Sequence, residues 1–303
     1  RRKDGEPPAA ILIALLVWTL LKVASIHAFC CELCQFIKGR KEEGERKQDI
    51  LYSVLRREDI NWRNQAVSLS KNIAAQNDMG AVNRRAFVID DSIKTRRGSK
   101  VEGSSNHWDH TESRTVRGHQ LVELGIVGES GFLPVDRQLF MGEKNAVEKP
   151  ADKDFRDKRS AAARDMTRAR TESKHTMFRR MLKAAIKAGF KAQYILGDAW
   201  FGCKENIATA LECKLAAIFQ MKRGLMKYRI DDPNAPDATA EGKCYTAHQL
   251  YQRHKRKMRK AGDQARYKTY RLRVWINLET RANRPPKWQE VVLVLSAPAK
   301  DNG

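Results

Sequence analysis

The sequence has few cysteines, and their spacing does not predict a disulfide-stapled fold. Six occur in 303 residues. Cys31 and Cys34 form a CxxC close to His27, but no second ligand pair follows at similar spacing, so a zinc site here is the weaker interpretation. We expect reduced cysteines that pack as small apolar side chains, as is typical of a cytoplasmic protein.

A long uninterrupted apolar run is also missing. The stretch from Ala9 to Cys31 is long enough to raise a membrane span, but Lys22 and His27 interrupt it and its unbroken part ends at Leu21. Basic residues precede the stretch as in a signal peptide, yet no small-residue cleavage site follows. A core helix is therefore favoured over a membrane span or a signal peptide.

Acidic residues are few relative to basic ones. The chain has 36 Asp and Glu against 58 Lys and Arg, a formal charge of +22, while its hydrophobic content of 42% is ordinary for a folded protein. Lys and Arg release counterions when they neutralise phosphates, so the excess favours a polyanionic partner. Nucleic acid and an anionic membrane surface are the two candidates.

The hydrophobic pattern predicts three regions. Apolar residues at helical spacing predict an N-terminal helical domain over residues 1–84. Residues 85–223 read as strands and helices in the order β-β-β-α-β-α-β, which predicts an α/β core with a mixed sheet. Residues 224–303 contain a proline-bearing loop, a basic cluster and two strand-like runs, which predict a basic β-rich region.

Two of the predicted core strands run directly into aspartates. Ala86 to Ile89 leads into Asp90 and Asp91, and Tyr194 to Gly197 leads into Asp198. Helix crossovers join parallel neighbours, so these strands can lie side by side with their carboxyl ends together. Paired carboxylates there could bind Mg²⁺ for phosphoryl transfer, although an Asp after a strand is often only a turn residue.

Other candidates are less specific. The segment NHWDH contains His107, Asp109 and His110, which we interpret as a polar hairpin turn rather than as metal ligands. Basic side chains follow Asp91, and ten Lys or Arg lie between Arg253 and Arg273 with Tyr267 and Tyr270 among them. Either group could contact phosphates, and either could simply be a solvated surface.

Two separated phrases resemble a known family. FVIDDSIKTRRGSKVEGSSNHWDHTESRTVRGHQLVELGI and KAQYILGDAWFGCKENI are similar to the DDE transposases of bacterial insertion sequences, in the cut-and-paste branch with a β-rich insertion in an RNase H-like core. The segment INWR at Ile60 to Arg63 resembles that family's N-terminal helical region. The match covers roughly Arg84 to Arg223.

The resemblance implies specific roles for some of these residues. Asp91, which precedes Ser92, would be the first catalytic and metal-binding residue and Asp198 the second, with Mg²⁺ as cofactor and Mn²⁺ able to substitute. The family's third carboxylate is a Glu on a helix within a Tyr, Arg, Glu, Lys pattern that we do not find. Glu279 and Glu290 lie in strand-like segments, so the simplest account is that the chain ends before that helix.

The partners follow from the same resemblance. We expect DNA, at transposon ends and target, to contact eight basic residues: Lys94, Arg96, Arg97, Lys100, Arg253, Lys255, Arg256 and Lys257. We also expect a homo-oligomer in the synaptic complex, no membrane association, and a cytoplasmic, nucleoid-associated location in a bacterium. The rival hypotheses are a catalytically incomplete DNA-binding remnant, a plain nuclease of the same fold, and a membrane-associated basic protein.

Overall fold

The computed structural model describes nine segments: residues 7–23, 25–32, 44–98, 101–142, 155–224, 226–239, 242–262, 264–281 and 283–299. Two compact units contain them. One lies within Arg1–Asn61 and Asp152–Arg164, and the other within Trp62–Ala151 and Asp165–Gly303. Both aspartates and the basic β-rich region belong to the second unit. The predicted division at residues 84 and 223 stays a prediction.

The first unit contains the apolar N-terminal stretch as two helices. The helices of this unit are α1 (Pro8–Leu21), α2 (Ile26–Glu32) and α3 (Gly44–Leu55). Helix α1 ends where Lys22 adopts a left-handed conformation with φ of 53°, and Phe29 and Leu51 pack in a small core. No helix in the described segments is long and apolar enough to cross a membrane. Cys34, half of the CxxC, lies outside those segments.

The second unit contains a six-stranded mixed sheet. Its strands are β1 (Ala86–Thr95), β2 (Ser105–Asp109), β3 (Arg114–Gly128), β4 (Gly131–Phe140), β5 (Tyr194–Gly197) and β6 (Ala216–Phe219). The order is β2-β3-β1-β5-β6, with β4 also paired to β3. Strand β3 runs antiparallel to its neighbours β1 and β4. Strand β5 runs parallel to its neighbours β1 and β6. This is the mixed sheet of an RNase H-like fold, as predicted.

The sheet differs from its prediction in two details. Strand β1 does not end at Ile89 but continues to Thr95, because β3 pairs with it along its whole length. NHWDH is not simply a turn, since Ser105 to Asp109 form the additional strand β2 and His110 begins the turn into β3. His107 on β2 is buried, and its Nε2 lies 2.7 Å from the Ser105 hydroxyl.

Helices α4 (Trp62–Gln76), α6 (Lys174–Lys187) and α7 (Lys204–Glu212) pack on the sheet, and α5 (Ala161–Thr171) precedes α6 along the chain. Helix α6 begins after Ser173, whose side chain accepts the backbone N–H of Thr176, and Gly189 follows it with a φ of 99°. Its apolar face places Met177 and Phe178 against Phe87 and Ile89 of β1 in the main core.

The C-terminal part of the unit forms a second, smaller sheet. Its elements are β7 (Lys227–Arg229), β8 (Cys244–Thr246), α8 (Ala247–His254), β9 (Arg259–Lys260), β10 (Tyr267–Asn277) and β11 (Trp288–Pro298). The order is β11-β10-β7-β8, and β9 also pairs with β10. Tyr228, Leu250 and Val274 lie in its core. The basic residues of this region are therefore carried by a β-rich structure, as predicted.

Removing Asp136 should destabilise the protein strongly. Asp136 on β4 forms a two-point ion pair with Arg63 at the start of α4, and their side chains are only 2% and 15% exposed. Asp136→Ala leaves a buried guanidinium unpaired, and we expect a loss of about 3–5 kcal/mol in urea unfolding. Glu212→Ala removes an exposed partner of Lys183 and should change stability by less than about 1 kcal/mol. Equal losses in the two variants would contradict this assignment.

Acidification should destabilise the protein through His107. Burial, then the nearby Lys174 ammonium, lowers the pKa of His107 to about 4. The unfolded chain takes up this proton near its ordinary pKa of about 6.5, so stability falls as pH drops from there toward the folded pKa. His107→Gln should therefore lose roughly 2 kcal/mol less than the wild type between pH 7.5 and pH 5. Identical pH dependence in urea unfolding would show that His107 does not carry the effect.

Candidate active site

Asp91 lies on the face of β1 that contacts the core. Side chains alternate along a strand, so Asp91 shares a face with the buried Phe87 and Ile89. Its carboxylate is 17% exposed, and one oxygen, Oδ2, accepts from two donors. These donors are the Gln120 amide nitrogen on β3 and the Lys174 ammonium, the latter at 3.0 Å. Asp91 is thus a mostly buried charge with charge-assisted partners, as burial requires.

Lys174 is the first residue of α6 and the counter-ion of Asp91. Its side chain is 10% exposed, and its ammonium lies 5.2 Å from the ring centre of Phe140 and 4.9 Å from that of Trp200. Aromatic faces favour a cation, so a carboxylate and two rings hold this charge. A lysine at a helix N-terminus opposes the helix dipole, which makes the partnership with Asp91 the reason for its position.

Asp198 lies at the carboxyl end of β5, beside β1. Gly197 pairs with Ile89, so Asp198 comes directly after the last residue of β5 that pairs with β1. Its Oδ1 accepts the backbone N–H groups of Trp200 at 2.9 Å and of Phe201 at 3.4 Å, in an Asx-type turn. In contrast to Asp91, this residue is exposed to solvent.

Asp90 lies within the electrostatic influence of these charges. Its pKa is raised, mainly by burial, with further contributions from the negative charges of Asp91 and Asp198, while Lys174 opposes the shift. Asp90 precedes Asp91 on the strand and therefore faces the opposite side of the sheet. The structure thus brings the two predicted aspartates to one edge of the sheet, with Asp90 and Lys174 beside them.

Trp200 is the exposed aromatic side chain of this edge. It is 42% exposed, and the Lys222 ammonium lies 4.2 Å from its ring centre. The ring of His175 lies parallel to it at 6.4 Å. Behind it, the fully buried Asn206 donates to the Phe201 carbonyl at 2.9 Å. The turn that carries Asp198 and Trp200 is therefore fixed by a buried hydrogen bond as well as by the Asp198 carboxylate.

The donor set at this edge suits a hard divalent cation. Mg²⁺ is commonly held by one or two carboxylates together with waters and substrate phosphates, and Asp91 and Asp198 supply two carboxylates. Within the described segments, no group of three or more His, Cys, Asp and Glu is placed to hold a metal ion. Glu290 lies on β11, and the Glu279 carboxylate accepts the backbone N–H groups of Thr280 and Arg281.

The predicted DNA contacts near Asp91 are exposed. Lys94 lies three residues further along β1 and so faces away from the Asp91 side, while Arg96 and Arg97 follow the end of the strand. The Arg96 guanidinium donates to His119 at 3.1 Å. Lys100 lies outside the described segments. Lys94, Arg96 and Arg97 therefore form a solvent-facing basic segment beyond the site.

The second basic cluster is also on the surface. Arg253 lies in the last turn of α8 with its guanidinium 3.1 Å from the Tyr245 hydroxyl, and Lys255, Arg256 and Lys257 form an exposed 3-10 turn. Tyr267 is 55% exposed, but Tyr270 stacks on His254 with the ring centres 4.9 Å apart. Both tyrosines were candidates for stacking with nucleic-acid bases. Tyr267 can still do so, whereas the ring of Tyr270 already stacks on His254.

Lys174 and Gln120 are the residues that sequence reasoning missed. The sequence predicts only secondary structure for these two residues. Gln120 begins a predicted strand, and Lys174 lies in the first turn of a predicted amphipathic helix. The one available signal was the lysine itself, because positive charge is disfavoured in the first turn of a helix. Gln120 lies in GHQLV, a part of the first phrase that resembles the family, but no role was assigned to it there.

Comparison with known families assigns the chain. A family model described as DDE superfamily endonuclease matches residues 39–291, a range that includes Asp91, Asp198, the whole mixed sheet and the second sheet as far as the start of β11. No curated protein matches the chain. Since the family model covers most of the sequence, and the mixed sheet brings two carboxylates to one edge, the chain belongs to the DDE superfamily endonucleases.

Proposed function

We propose that this protein is a DNA transposase of an insertion sequence, which cuts a DNA strand at the element end and joins the freed 3′ hydroxyl to target DNA. The observation that supports the proposal is the parallel pairing of β1 with β5, whose last paired residues, Ile89 and Gly197, are followed within two residues by Asp91 and Asp198. Membership of a DDE endonuclease family implies a DNA substrate and nuclease-type chemistry. The insertion-sequence origin and the strand transfer belong to the proposal.

Each residue has a defined task in this proposal. Asp91 and Asp198 would hold a divalent cation, Mg²⁺ or Mn²⁺, which when bound would activate water and stabilise the charge of the leaving oxygen. Gln120 orients the Asp91 carboxylate, and the backbone N–H groups of Trp200 and Phe201 orient that of Asp198. Pre-set carboxylates favour in-line attack because they need no rearrangement when substrate arrives.

DNA binding is assigned to the cationic surface. The formal charge of +22 supports sequence-independent attraction to phosphates. The exposed residues Lys255, Arg256 and Lys257 offer three adjacent charges on one turn, next to Arg253. Chemistry and affinity thus rest on different residues.

A second candidate, a catalytically incomplete DNA-binding remnant, is favoured by one observation. Within the described segments, no third His, Cys, Asp or Glu joins Asp91 and Asp198 in a group that could hold a metal ion. A metal-dependent nicking assay separates the two candidates, because the remnant would bind DNA without cutting it. A plain nuclease of the same fold would nick DNA but give no strand-transfer product.

Asp91→Asn and Asp198→Asn should each abolish DNA nicking. Loss of a metal-binding carboxylate removes several kcal/mol of transition-state stabilisation, so we expect at least roughly a 10³-fold lower nicking rate with Mg²⁺ or Mn²⁺. DNA affinity measured by fluorescence anisotropy should change by less than about threefold, because these residues do not belong to the cationic surface.

Asp90→Asn is the matched control for this test. It removes the adjacent carboxylate, which points to the other face of the sheet, and should keep nicking within about tenfold of the wild type. Loss of nicking in Asp90→Asn with retained nicking in Asp91→Asn would move the assignment by one residue. Full nicking by Asp198→Asn would overturn the two-carboxylate site.

Replacing Lys255, Arg256 and Lys257 together by alanine should weaken DNA binding and its salt dependence. Each lost phosphate contact reduces the slope of log K against log salt by about 0.9, so we expect a decrease of roughly 2–3. The control replaces the exposed Lys183, Lys187 and Lys191, which lowers the formal charge by the same three units. Equal slopes for the two triple variants would mean that net charge alone, not this turn, attracts DNA.

A further inference from the structure

The ammonium of Lys174 occupies one oxygen of the Asp91 carboxylate, where a bound cation would compete with it. It contacts the Asp91 carboxylate at 3.0 Å, and the Gln120 amide donates to the same oxygen, so both contacts fall on Oδ2. A divalent cation that used this oxygen would have to displace Lys174. One that used the other oxygen would lie within a few ångströms of a fixed positive charge and be repelled by it.

The lysine is built into this position rather than resting there by chance. Its side chain is only 10% exposed, and its ammonium is flanked by the rings of Phe140 and Trp200. The residue is also anchored at its backbone, because the Ser173 side chain caps the helix that it begins. A mobile surface lysine would satisfy none of these conditions, since its ammonium would be in water.

We propose that Lys174 is a resident counter-cation of Asp91 that a divalent metal must displace, so that this lysine sets the metal affinity of the site. The inference rests on the proposed metal-binding role of Asp91. Without metal, the ammonium neutralises a buried carboxylate that would otherwise be unpaired. With metal, that need disappears, and the lysine becomes a competitor of the metal ion.

The decisive measurement is Mn²⁺ binding, followed by the electron paramagnetic resonance signal of the free ion and without any DNA or turnover. Lys174→Met should bind Mn²⁺ at least about tenfold more tightly than the wild type, because no ammonium competes. Lys174→Gln keeps a hydrogen-bond donor for Asp91 without the charge. It should show the same tightening and serves as the test if the methionine variant fails to fold.

Lys183→Met is the matched control. Lys183 lies on the same helix and loses the same charge, but it is paired with Glu212 on the exposed surface. Its Mn²⁺ affinity should stay within about twofold of the wild type. Thermal unfolding gives a second readout, because Lys174→Met should be less stable than the wild type without Mn²⁺ and should gain more in Tm when the ion is added.

The outcomes separate this inference from the proposed function. Equal or weaker Mn²⁺ binding in folded Lys174→Met and Lys174→Gln overturns the displacement, and if Asp91→Asn still abolishes binding the metal site itself stands. Binding that survives unchanged in Asp91→Asn overturns both proposals. Mn²⁺ binding that is measurable only in the Lys174 variants supports displacement of the lysine by the metal. If neither the wild type nor any variant binds Mn²⁺, the displacement proposal is overturned.

Discussion

The pairing of β1 with two unlike neighbours is the constraint on which the site depends. Strand β3 pairs with β1 in antiparallel register from Ala86 to Thr95, whereas β5 pairs with it in parallel only as far as Ile89. Strand β5 is only four residues long. The second half of β1 therefore has no β5 backbone beside it. That half carries Asp91, and the chain leaving β5 carries Asp198. The acidic edge therefore exists because one parallel strand is shorter than the strand it joins.

This arrangement places the two carboxylates in different environments. Asp91 is mostly buried on the core face and needs Gln120 and Lys174 to offset the loss of water, while Asp198 is exposed and is held by backbone N–H groups. A buried carboxylate with fixed partners has a defined position. It binds a new cation less tightly, because its counter-ion competes with that cation. An exposed carboxylate remains open to ligands. The pair thus consists of one carboxylate with a fixed position and one that is accessible.

The sequence predicted which strands and helices form better than it predicted where each of them ends. The apolar runs before both aspartates predicted β1 and β5, and the crossover rule predicted their parallel pairing, which the structure confirms. The continuation of β1 through Asp90 and Asp91 was missed, because local composition favours ending a strand at two carboxylates and only the partner strand β3 overrides it. The partnership of Lys174 with Asp91 spans 83 residues, and no periodicity encodes such a contact.

A local excess of negative charge in a strongly basic chain has a consequence for how DNA can approach. Asp90, Asp91 and Asp198 repel phosphates, whereas the formal charge of +22 attracts them. Lys174 offsets the Asp91 carboxylate, whereas Asp198 is exposed, so a phosphate that approaches Asp198 is repelled locally although the whole chain attracts it. Phosphate can lie against the carboxylates only if additional positive charge enters with it. A divalent cation held by Asp91 and Asp198 would supply that charge, and its binding and that of DNA at the site would then favour one another.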